Sequence, residues 1–69
     1  PNRMNVSVTI YDIMGRRVKT LLDRSLMQGN HNITWHGNDQ YGAKVSSGIY
    51  FYEFRGEDFG QARKMLLIK

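Results

Sequence analysis

The 69-residue chain contains no cysteine. Disulfides and thiolate metal sites within it are therefore excluded, while the compartment stays open, because many secreted bacterial proteins also lack cysteine. Long hydrophobic runs are missing too. The longest span about four residues, as in Met65-Leu66-Leu67-Ile68, where a membrane-crossing helix needs about 20. No signal peptide is visible. The chain opens on Pro1 rather than on methionine, so it is expected to be cut from something longer, and the missing leader is then uninformative. There is no sequence repeat, no low-complexity segment and no stretch that sustains a helical apolar period over three turns.

What is present points to strands. Net charge is +4, and the cations Arg3, Arg16, Arg17, Lys19, Arg24, Lys44, Arg55, Arg63, Lys64 and Lys69 are scattered singly or in pairs. Without a basic run or a nucleic-acid module, they read as a solvated strand face. A domain this small buries only about 60% of its unfolded surface, and its 41% hydrophobic content is enough for a dense core. The size fits one small domain, or part of one.

Five strands are predicted. In Asn5–Tyr11, Val6, Val8 and Ile10 alternate with Ser7 and Thr9, the period of a half-buried strand. Asp12-Ile13-Met14-Gly15 predicts a tight turn, in which the Asp accepts backbone N–H groups and the Gly takes positive φ, closing a hairpin with a glycine bulge. Arg16–Leu22 returns with Val18 and Leu21 or Leu22 inward. Asp23–Asn30 reads as a connection whose Leu26 and Met27 cap the core. A short third strand is predicted over His31–Trp35, with Ile33 and Trp35 on one face. A polar loop follows, with glycines at 37, 42 and 48. Ile49–Arg55 is the most β-prone segment, apolar on both faces, hence a central strand. Gly56–Gly60 predicts a hairpin loop, and Gln61–Lys69 a returning strand, preferred over a helix because the turn brings it back beside Ile49–Arg55. The expected fold is all-β, a small immunoglobulin-like sandwich of antiparallel strands. A complete sandwich has about seven strands, so one or two are expected upstream of Pro1, the first strand among them, leaving a sheet edge free to pair with another chain.

Candidate chemistry is sparse. His31 and His36 flank Trp35 with no carboxylate or cysteine at ligand spacing, so no metal site is expected. Asn38 and Asp39 invite a calcium reading. That ion usually collects six to eight oxygens, and one local carboxylate is better read as hydrogen-bonding its own loop. Ser46, Ser47, His36 and Asp39 supply the atoms of a nucleophilic site without a nucleophile elbow. The glycines fit neither a phosphate loop nor a dinucleotide fingerprint. No enzyme activity and no cofactor are expected. Tyr50 is read as a core ring whose hydroxyl meets a loop carbonyl, and Trp35 as core.

Three segments, I-Y-D-I-M-G-R-R-V-K-T-L, W-H-G-N-D-Q-Y-G-A-K-V-S-S-G-I-Y-F-Y and A-R-K-M-L-L-I-K, resemble a known family over Val6–Lys69. The chain resembles both the immunoglobulin-like domain of the flagellar hook-capping protein and the C-terminal sorting domains of type IX (Por) secretion. Tyr11, Asp12, Gly15 and Arg16 match the family's turn. Trp35, Gly37, Asp39 and Gly42 match its loop, with His36 where an Asp is usual. Gly48, Tyr50 and Tyr52 match its Ser-Gly-x-Tyr motif, and Arg63, Lys64 and Lys69 its basic last strand.

The sorting resemblance implies a single C-terminal module over 1–69, following an upstream cargo domain. The secretion machinery would read Arg63, Lys64, Met65, Leu66, Leu67, Ile68 and Lys69, and the cargo would reach the cell surface or medium of a Gram-negative bacterium. The hook-cap resemblance implies instead a structural assembly domain whose partner is another protein subunit. Neither implies nucleic acid or a membrane span.

Overall fold

Residues 3–27 and 33–68 are described by a computed structural model of the chain. The sheet starts from two hairpins. Strands β1 (Arg3–Tyr11) and β2 (Arg17–Met27) form the first, and β3 (Gly48–Arg55) and β4 (Gly60–Leu67) the second. They join through an antiparallel β1–β3 pairing in which Ile10 faces Tyr52 and Val8 faces Phe54, giving the order β2-β1-β3-β4. The fold is all-β and antiparallel, with no helix among the described residues, as a small immunoglobulin-like domain has. The returning strand at 60–67 and the central position of β3 are as the sequence predicts.

The alternation in β1 sets the core. Val6, Val8 and Ile10 are buried on one face, and Ile10 is 1% exposed. Ile10, Val18 and Tyr50 form the core centre, with Leu21, Trp35, Val45, Tyr52, Met65 and Leu67 packed around it. Strand β2 reaches the core by an irregular route. Its register against β1 shifts twice, passing over Leu21 between Leu22 and Thr20 and over Val18 between Lys19 and Arg17. A plain strand would put residues 18, 20 and 22 on one face. The two extra residues are bulges, which re-aim side chains and increase local twist, so Val18 and Leu21 both contribute to the core.

Two expectations are corrected. The connection placed at Asp23–Asn30 is strand as far as Met27, because β1 begins at Arg3 and offers partners down to Arg3↔Met27. An edge strand with a wet outer side accepts Asp23 and Arg24 at little cost. The predicted strand at His31–Trp35 is absent over Ile33–Trp35, which run as irregular chain. Its polar-apolar alternation is satisfied by laying Trp35 onto the face of the sheet rather than by pairing. His31 and Asn32 lie outside the described residues, as do the side chains of Leu26 and Met27 and all of Lys69.

Candidate functional site

The loop from Trp35 to Ser47 is where the chain's motifs converge. It folds around Asp39, whose Oδ1 accepts the N–H groups of Tyr41 and Ala43 at 2.9 Å each. The Asp39 N–H donates to the Ala43 carbonyl at 2.8 Å, and the Gly42 N–H to the Asp39 carbonyl at 3.0 Å. Gly42 sits at φ 87°, a conformation that residues with a Cβ rarely adopt. One bridge, Asn38↔Lys44, closes this small hairpin. The carboxylate oxygen offered for calcium is thus spent on its own loop, as expected from the sequence. Among the described residues no cluster of three His, Asp or Glu side chains converges.

The same wiring occurs at the β1–β2 turn. Asp12 Oδ1 accepts the N–H groups of Met14 and Arg16, both at 2.9 Å. The Asp12 N–H donates to the Arg16 carbonyl, and the Gly15 N–H to the Asp12 carbonyl, both at 2.9 Å. Gly15 sits at φ 82°. The shared signature is Asp-x-x-Gly, at 12–15 and again at 39–42. Here Arg16 adds an ion pair, its Nε 3.0 Å from Asp12 Oδ2. The Asp12 carboxyl is held below its ordinary value of 3.8, chiefly by the Arg16 backbone N–H; desolvation opposes this as the next largest effect, and the Arg16 guanidinium and the Met14 N–H add to the lowering.

The second turn is fastened to the sheet. Trp35 Nε1 donates to the Asn38 carbonyl at 2.8 Å, and Lys19 Nζ to Asn38 Oδ1 at 3.2 Å. The Gln40 N–H donates to the Val18 carbonyl at 3.1 Å, and the Val45 N–H to the carbonyl of buried Gly37 at 3.0 Å. The Trp35 ring meets Tyr50 edge-on at 5.1 Å. Tyr50 is buried and its hydroxyl donates to the Ser46 carbonyl at 2.6 Å, the role read for it in the sequence. Trp35 packs on the core while only half-buried, so it is a lid over the centre rather than part of it.

The loop covers one end of the apolar face and leaves an open groove of about 520 Å³ beside it. Its walls are mostly apolar, with Val8, Phe54, Met65 and Leu67 among them, while Tyr52 brings a hydroxyl and Trp35 an indole N–H that already donates to the Asn38 carbonyl. Such a lining suits an apolar side chain. Ser46, Ser47 and His36 are exposed loop residues outside its lining.

Of the residues expected to be read by a partner, Arg63, Lys64, Met65, Leu66 and Leu67 lie on β4. Arg63, Lys64 and Leu66 are exposed, and Met65 and Leu67 are half-buried toward the groove. Ile68 is 77% exposed just past the strand. In the described sheet β4 pairs only with β3, so its outer side is an open edge.

A family model described as the FlgD Ig-like domain matches residues 2–58. Of the two resemblances read from the motifs, the match falls on the hook-capping one. Residues 59–69, which carry β4, lie beyond the matched span. No curated protein and no solved structure gives a significant match.

Proposed function

Because the chain belongs to the FlgD Ig-like domain family, we propose that it is a non-catalytic structural domain that joins its parent protein to another protein in an assembly of the hook-capping type. The match over residues 2–58 carries this reading. The architecture supports it, since Asp12, Arg16, Trp35, Asp39 and Tyr50 are engaged in holding turns and loop, while sheet edge, apolar groove and the cations of β4 face solvent. Protein partners of such domains are met by strand pairing and side-chain pockets.

A second reading is favoured by one observation, the exposed cations of β4 beside an open edge. There the domain is a type IX sorting module, its β4 recognised by the secretion machinery, and the parent protein is carried to the cell surface or medium of a Gram-negative bacterium.

One experiment separates the two. The domain is deleted from the parent protein in its own bacterium, and the parent is followed by fractionation and by its incorporation into extracellular structures. A parent that leaves the cell but fails to assemble supports the structural reading. A parent retained in the periplasm supports sorting. Normal export together with normal assembly would overturn both.

A further inference from the structure

We propose that the outer edge of β4, over Gln61–Leu67, is a docking site for an extended acidic segment of another protein, which adds to the sheet as a fifth strand. The proposal deepens the assembly reading and rests on it.

The two edges of the sheet differ. Strand β2 is the longer, but its two register shifts against β1 twist it and interrupt its regular ladder. Strand β4 pairs with β3 without a shift over all eight positions, from Gly48↔Leu67 to Arg55↔Gly60. An unbroken ladder presents its outer N–H and C=O groups at regular spacing, which is what an incoming strand requires.

The side chains on β4 specify the chemistry. Arg63 projects to the groove face, level with Tyr52, and Lys64 to the opposite face, level with Phe51. Their rows hold no acid, since Tyr52 continues to Ile10 and Phe51 to Tyr11. Glu53, diagonal to Lys64, is engaged by Arg55 at 3.1 Å and by the Tyr11 hydroxyl at 3.4 Å. Among the described residues, Arg63 and Lys64 therefore face solvent with no anion. Further along the strand the surface turns apolar on both faces. Met65 and Leu67 border the groove, and Leu66, 64% exposed, lies level with Ile49, 41% exposed. An added strand fits if two successive carboxylates reach Arg63 and Lys64, one on each face, and apolar side chains follow beside Met65, Leu66 and Leu67. A second copy of this chain fits poorly. Antiparallel pairing of two β4 strands about their middle would set cation against cation, which is destabilising, between molecules that each carry a net charge of +4.

The test uses the whole chain, 15N-labelled, titrated with the peptide acetyl-Thr-Glu-Asp-Val-Ile-Val-Thr-amide and with its reversed sequence, which serve parallel and antiparallel addition. The expected result is that one of them shifts and protects amides of Gln61–Leu67 and that its binding weakens from about 0.05 to about 0.5 M salt. The double variant Arg63→Glu/Lys64→Glu, confirmed folded by its own spectrum, should bind it about tenfold more weakly and prefer a peptide with Lys in place of both acids. Alternate N-methylation of the peptide, which removes strand donors without altering the protein, should abolish binding. No shift with either peptide up to about 1 mM would overturn the site. So would equal binding of the Lys peptide to the unaltered chain, shifts confined to β2 or the groove, unimpaired binding of the N-methylated peptide, or a dimer formed through β4. Each of these leaves the assembly reading to be decided by the deletion experiment.

Discussion

Two turns of this chain, 12–16 and 39–43, share one hydrogen-bond scheme and sit in different surroundings. In each, an aspartate oxygen accepts the N–H groups two and four residues on, and a glycine at positive φ closes the loop. The first caps the free end of a hairpin, where Ile13 and Met14 are 68% and 75% exposed. The second is pinned to Trp35, Lys19 and Val18 and holds the lid over the core. A local motif thus fixes a local shape, and what that shape is worth depends on what is fastened to it.

The comparison can be broken most strongly at Trp35. Trp35→Ala removes the lid, the edge contact with Tyr50 and the donor to Asn38. Because the ring is half-buried, the expected cost is about 2–4 kcal/mol, somewhat below the full-core range. In a domain of this size that lowers the Tm by more than about 8 °C, checked by thermal unfolding. A loss under about 1 kcal/mol would mean that the second turn is no better anchored than the first.

Asp39→Ala comes next, at about 1–2 kcal/mol for two backbone donors left without their acceptor. Trp35 is the only tryptophan, so its emission reports whether the loop stays docked. The emission should move to longer wavelength in Asp39→Ala and stay put in Asp12→Ala. A shift in both, or in neither, would erase the distinction between the turns.

The glycines sharpen the opposite half of the comparison. Neither Gly15 nor Gly42 has an atom within 4 Å of where a Cβ would stand. Alanine should therefore cost only backbone strain, about 1–2 kcal/mol at each, and the two losses should agree within about 0.5 kcal/mol by denaturant unfolding. Unequal losses would show that surroundings reach even into the turn's own geometry.

The smallest effect is one of pH. The folded-state pKa of Asp12 is depressed, so its contribution is fully present above the ordinary value of 3.8 and is lost as pH falls through the lowered folded value. The Tm difference between the chain and Asp12→Asn should be constant above about pH 5 and shrink below 3.8. A difference that grows on acidification would contradict the hydrogen bonds drawn to this carboxylate.

Periodicity and turn chemistry by themselves determined the all-β class, the two hairpins and the inward set Val6, Val8 and Ile10. These are local consequences of side-chain alternation, of glycine's freedom at positive φ and of a short polar side chain's reach to nearby backbone. The tertiary structure alone decided the rest. It decided that Val18 and Leu21 both enter the core, because a bulge is a compromise between two strands and not a property of either. It decided that Ile33–Trp35 lie across the sheet instead of pairing in it, because an apolar alternation is satisfied by any apolar surface. And it decided that β4 rather than β2 keeps an even outer edge, because edge character belongs to the whole ladder and no single strand carries it in its own residues.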